Sequence, residues 1–147
     1  MAVLNNTLVA FGGEVVETRP KIVVIVDDDI TNLTIGRSAL SDRFNVFTSP
    51  SGEKLFYLLG KIKPDIILLD IEMPGMNGYE VIKKLKSSEE TSHIPVIFLT
   101  GKAESEIAAE YLKHGAVAYS TKPFSRDRLS ELIYEHANSD PGAKPAN

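Results

Sequence analysis

Cysteine is missing altogether from the 147 residues, which excludes a disulfide framework, thiolate metal sites and a cysteine nucleophile. Nothing in the chain argues for an oxidising compartment, and the expected location is cytoplasmic. No apolar run approaches membrane-spanning length, so no membrane association is expected. The first twenty residues, MAVLNNTLVAFGGEVVETRP, have no basic start and are interrupted by Asn5, Asn6 and Thr7, which makes a poor signal peptide. A basic excess is also missing. Sixteen Lys and Arg stand against twenty Asp and Glu, a formal net charge of −4, which argues against direct contact with nucleic acid. The three histidines, His93, His114 and His136, are scattered without metal-ligand spacing, and no internal repeat is visible.

What is present is an alternation of short apolar runs with segments of helical periodicity. KIVVIVDD (21–28), NVFTS (45–49), DIILLD (65–70), IPVIFLT (94–100) and VAYSTKP (117–123) read as five strands. The helices between and after them carry Ile30, Leu33 and Leu40; Leu55, Leu58 and Leu59; Val81, Ile82 and Leu85; Ile107, Ala108, Tyr111 and Leu112, ending at Gly115; and Leu129, Leu132 and Ile133. The first, third and fourth strands are continuously apolar, as expected when both faces are covered. The expected fold is α/β, a five-stranded parallel sheet, doubly wound with helices on both faces, in the flavodoxin-like order 2-1-3-4-5. Residues 1–20 read as an N-terminal extension, either frayed or a short arm, 21–138 as the domain, and the Pro- and Gly-containing 139–147 as a tail or linker.

Each apolar run stops on a polar residue: Asp27 and Asp28, Asp70, Thr100, and Lys122. The carboxyl ends of parallel strands face one crevice, where ligands of this fold class bind. Three neighbouring carboxylates cannot all stay ionised without a counterion, and an all-oxygen donor set fits Mg²⁺ better than a transition metal. A central carboxylate, a hydroxyl and an amine beside such an ion suit phosphoryl transfer, where positioning and charge neutralisation do most of the work. Taken singly, each residue also has an ordinary explanation. An Asp before a helix is a common N-cap, and Asp29 is expected to do only that; Thr100 alone would be a turn residue and Lys122 alone a solvated charge. Their joint alignment at successive strand ends is what these ordinary causes do not explain.

The runs VIVDDD, ILLDIEMPGMNGYEVIKKLK, VIFLTG and GAVAYSTKPF together resemble the receiver domain of two-component response regulators over roughly residues 20 to 138. The resemblance implies that Asp70 is the phosphoacceptor, forming an aspartyl phosphate in a Mg²⁺-dependent reaction. It implies that Asp28 and Asp70 ligate the metal with the backbone carbonyl of Glu72, while Asp27 acts through metal-bound water. Thr100 and Lys122 would bind the phosphoryl oxygens, and Tyr119 would be the aromatic that turns with Thr100 during switching. A histidine kinase or histidine phosphotransfer protein would be the donor, and a downstream effector or output domain the reader. The resemblance also implies a surface through which two copies can pair, the last helix-strand-helix face. The implied chemistry is self-phosphorylation and autodephosphorylation rather than turnover of an external substrate.

Two residues at the mouth of the site carry a further expectation. Glu72 and Lys102, two residues beyond Asp70 and Thr100, are expected to approach as an ion pair and tune hydrolysis of the acyl phosphate, the ordinary alternative being two solvated charges. A rival from another class is a haloacid dehalogenase-like phosphatase, whose D-x-D-x-T signature would be Asp27, Asp29 and Thr31, with Asp27 as nucleophile and Asp29 as general acid. It would leave Asp70 and its Pro-Gly loop unexplained, and the chain holds no further acidic pair after Lys122 on a strand. A receiver that only binds, without chemistry, is disfavoured because every charged position of the site is filled.

Overall fold

A computed structural model describes residues 7–11 and 14–137 of the chain. In chain order the elements are strands β1 (Thr7–Phe11), β2 (Glu14–Thr18) and β3 (Ile22–Val26), helix α1 (Ile30–Leu40), β4 (Asn45–Ser49), α2 (Gly52–Leu59), β5 (Ile66–Asp70), α3 (Gly78–Lys86), β6 (Val96–Thr100), α4 (Glu104–Glu110), β7 (Ala118–Thr121) and α5 (Arg126–His136). Strands β3 to β7 form one parallel sheet in the order β4-β3-β5-β6-β7, which is the expected 2-1-3-4-5 order counted over those five. β1 and β2 pair antiparallel in a separate two-stranded sheet, so the N-terminal segment contains a hairpin. The 139–147 tail lies outside the described residues.

Alternation along each strand divides the core in two. Val23, Ile25, Ile66, Leu68, Ile97 and Leu99 meet α1 and α5 on one face. Val24, Val26, Ile67, Leu69, Val96 and Phe98 meet α2, α3 and α4 on the other. Every residue of β5 and β6 is buried, and each buried Leu or Ile contributes about 1.5–3 kcal/mol relative to exposure. Register is therefore strongly set, because a slip of one residue would exchange the two faces.

The helix faces follow the expected periodicity except at Ala108, which is exposed, and at two large residues. Leu33, Leu40, Leu55, Val81, Ile82, Leu85, Ile107, Leu129, Leu132 and Ile133 are buried, but Ile30 is 73% and Leu112 68% exposed. Ile30 is the first residue of α1, beside the crevice, and Leu112 lies past α4, which ends at Glu110 with Tyr111 as its cap before the turn closes at Gly115 with φ +92°. Both sit at helix ends, where there is no sheet beneath them.

Candidate functional site

The site is a product of strand register. Val26 pairs with Leu69, so Asp27 and Asp70 follow side by side; Asp70 pairs with Leu99 and Thr100 with Thr121, which brings Thr100 and Lys122 to the same edge. Backbone bonds extend past the strands: the Lys122 N–H donates to the Thr100 carbonyl at 2.8 Å, and the Ile71 N–H to the Leu99 carbonyl at 3.3 Å. Four of the five residues singled out at the strand ends thus lie along one edge of the sheet, as the alignment of the runs leads one to expect.

Carboxylate oxygens of Asp27, Asp28 and Asp70 lie within 4.8 Å of one another. Asp27 is 0% exposed and Asp70 2%, whereas Asp28 faces solvent. Lys122 Nζ donates to Asp27 Oδ2 at 3.2 Å and to Asp70 Oδ1 at 3.1 Å. One ammonium for two buried carboxylates leaves the cluster short of positive charge. Burial and the Asp27 charge push the Asp70 carboxyl up to about 6, against the opposing pull of Lys122 and of a hydrogen bond from the Glu72 backbone. Burial pulls the Lys122 ammonium down, but Asp70 and Asp27 outweigh it and its pKa ends above the ordinary lysine value.

The loop after Asp70 has a structural task. Gly75 has φ +75°, a conformation natural to glycine. A Cβ on Gly78 would stand 2.6 Å from the Asp70 carbonyl oxygen and 2.6 Å from Ile71 Cα, so only glycine lets α3 begin this close to the end of β5. Its N–H donates to the Ile71 carbonyl at 2.8 Å. Asn77 then caps α3 in a reciprocal capping box with Glu80. The break from apolar strand to Met-Pro-Gly-Met-Asn-Gly thereby ties the carboxylate's backbone to a helix start.

Asp29 is the N-cap of α1, accepting from the Thr31 N–H at 2.9 Å. Asp27 is engaged on both oxygens, by the Asp29 N–H at 2.9 Å on Oδ1 and by Asn32 Nδ2 at 3.1 Å and Lys122 on Oδ2. A phosphatase with Asp27 as nucleophile and Asp29 as general acid is not supported, since the first carboxylate is fully bonded and the second is committed to the helix end. Asn32 is a site residue that sequence reading missed; its signal is its place one turn into the helix after Asp27.

Thr100 is 0% exposed, and its Oγ1 accepts from the Lys102 N–H at 3.0 Å. Tyr119 is half-buried on the outer side of β7, with its ring 5.0 Å from that of Tyr111 and its hydroxyl donating to Glu104 Oε1 at 3.3 Å. It borders a cavity of about 330 Å³ shared with Glu104, Thr121 and Arg128, between α4, β7 and α5. The expected approach of Glu72 to Lys102 is not the arrangement found. Lys102 Nζ turns along α4 to Glu106 at 3.4 Å and Glu110 at 3.9 Å, because two carboxylates there outbid the single exposed Glu72. The Lys122–Pro123 peptide bond is cis.

The family model described as response regulator receiver domain matches residues 23–134. The chain belongs to that family. A probable cyclic di-GMP phosphodiesterase of Vibrio cholerae is 39% identical over 114 residues, 78% of this chain and 26% of the relative. The cell cycle response regulator CtrA of Brucella ovis is 37% identical over 114 residues, 78% of this chain and 48% of the relative. The receiver domain thus spans only about a quarter to a half of these curated relatives. The crystal structure of the Vibrio cholerae chemotaxis protein CheY4 superposes with a TM-score of 0.74 at 26% identity, covering 80% of this chain and 99% of that one.

Proposed function

We propose that Asp70 accepts a phosphoryl group in a Mg²⁺-dependent reaction and that the resulting aspartyl phosphate switches a partner-binding surface. The observation that carries this reading is the nearly buried Asp70 carboxylate set between Asp27 and Lys122 at the carboxyl end of the central strand. An Asp70 Oδ attacks phosphorus while the bond from phosphorus to the donor's nitrogen or oxygen breaks, leaving an acyl phosphate on the protein; the departing atom keeps the bonding electron pair, and a departing nitrogen is protonated from solvent. Lys122, already 3.1 Å from Asp70, pairs with the new phosphoryl oxygens, and Thr100 turns its hydroxyl to donate to another.

The donor set fits a hard divalent cation, because three clustered carboxylates share one ammonium and offer only oxygen. Asp28, Asp70 and the Glu72 carbonyl would hold Mg²⁺, with Asp27 acting through a bound water. When present, the ion supplies charge neutralisation at the phosphoryl group. Asn32 and Lys122 keep Asp27 oriented for that role.

Movement of Thr100 toward the phosphoryl group frees space behind it for Tyr119 to turn inward from the α4–β7–α5 cavity. That face is the surface an effector, an output domain or a second copy would read. A histidine kinase or histidine phosphotransfer protein is the proposed donor, residues 21–138 the working unit, and residues 1–20 an extension to it. Glu72 and Lys102 would tune hydrolysis separately, Lys102 from its place in the β6–α4 loop. Among the described residues no helix is long and apolar enough to cross a membrane.

Incubation with acetyl phosphate tests the chemistry. A Mg²⁺-dependent phosphoprotein that hydroxylamine cleaves, as it does acyl phosphates, is expected; a stable adduct formed equally well in chelator would overturn the reading.

A further inference from the structure

Lys102 is tied to the site at one end and to a second helix at the other. Its backbone N–H bonds Thr100 Oγ1 at 3.0 Å, while its ammonium lies 3.9 Å from Glu110 Oε1 and 5.9 Å from the centre of the Tyr79 ring. Tyr79, in the first turn of α3, donates its hydroxyl to the same Glu110 oxygen. Its ring stacks on His114 at 4.1 Å and meets Phe98 of β6 edge-on at 5.6 Å. Lys102 and Glu110 side chains are only 27% and 30% exposed, so this pair is less screened than an ordinary surface contact. Burial and the Glu110 carboxylate both push the Tyr79 phenol well above its usual range, which keeps it a donor.

We infer that Tyr79, Glu110 and Lys102 form a latch that holds the β6–α4 loop, and with it Thr100, in the resting arrangement. They are positioning residues: none touches the reacting atoms. The inference rests on the receiver reading, in which Thr100 must move toward the phosphoryl group. Such a movement draws on the Lys102 N–H, and the Lys102 side chain is anchored to α4 and, through the shared Glu110 oxygen, to α3. Interactions that favour the resting form must by linkage weaken binding of anything that favours the switched form. The latch therefore sets how readily the site accepts a phosphoryl group.

Beryllium fluoride, a phosphoryl mimic, tests this by isothermal titration at fixed Mg²⁺ concentration. Tyr79→Phe removes only the hydroxyl and keeps the ring contacts with His114 and Phe98. It is expected to bind the mimic about three- to tenfold more tightly than wild type, the scale of one ordinary net hydrogen bond. Glu110→Gln is expected to shift in the same direction, and the double variant no further than the larger single one, since the latch is one unit. Unchanged or weaker binding by Tyr79→Phe with the fold intact, or a lower melting temperature without a shift in binding, would overturn the latch alone. A wild type that ignores the mimic would overturn the receiver reading and the latch with it.

Discussion

Asp70 is 2% exposed, with two carboxylates and a single ammonium close by, and its acidity follows from its burial and from that imbalance. Its carboxyl ionises near pH 6 in the folded chain against 3.8 for the ordinary group. Between those values the native state binds the extra proton, so stability must fall as pH rises, fully present below 3.8 and lost by about 6. In chelator, wild type is expected to lose about 3 kcal/mol of stability relative to Asp70→Asn across that range, read from urea midpoints at each pH. Mg²⁺ is expected to restore it above pH 6 and to do little below pH 4. A difference between the two proteins that stays flat with pH would mean that Asp70 is not crowded as described. Single residues were legible in the sequence where a strand end exposes them, as with Asp27, Asp70, Thr100 and Lys122. The partners that come from other elements were not. Asn32 on Asp27, and Glu110 between Lys102 and Tyr79, depend on how helices settle on the sheet, which no local pattern contains.

At the scale of elements, the turn from β5 into α3 decides whether the carboxylate is held in place. Gly78→Ala puts a methyl against two backbone atoms that cannot rotate away. A loss of about 1–3 kcal/mol in urea unfolding is expected, together with slower phosphorylation from acetyl phosphate. Gly101, at the other side of the crevice, has open space around its Cβ position, and Gly101→Ala is expected to stay within about 0.5 kcal/mol of wild type. Equal effects at the two positions would contradict the role given to the β5–α3 junction. The three inner strands of the main sheet are readable from their apolar runs, because burial on two faces demands them, and the half-buried edge strands β4 and β7 give a weaker signal. The helix ends are less so: Ile30 and Leu112 fit a helical stripe by spacing, yet each lies beyond the sheet that the stripe covers.

For the whole molecule, the five-stranded sheet and its helices are complete without the N-terminal hairpin, which pairs with no strand of that sheet. A chain starting at residue 20 is expected to keep its cooperative transition and its Mg²⁺-dependent phosphorylation. Failure of that chain to fold would make the hairpin part of the domain and revise the 21–138 boundary. At the other end Ala137 is 2% exposed and packed with α5 residues against the sheet, so the domain extends at least that far. The order of the strands is what brings residues 27, 70, 100 and 122 to one edge, so the chemistry belongs to the complete sheet rather than to any one motif. One carboxylate in that edge, Asp70, is proposed to take the phosphoryl group. Intact mass after incubation with Mg²⁺ and acetyl phosphate, compared among wild type, Asp70→Ala and Asp27→Ala, tests it most directly. A labile phosphoryl adduct on wild type that is absent from Asp70→Ala is the expected result; an adduct that persists in Asp70→Ala and disappears in Asp27→Ala would contradict it.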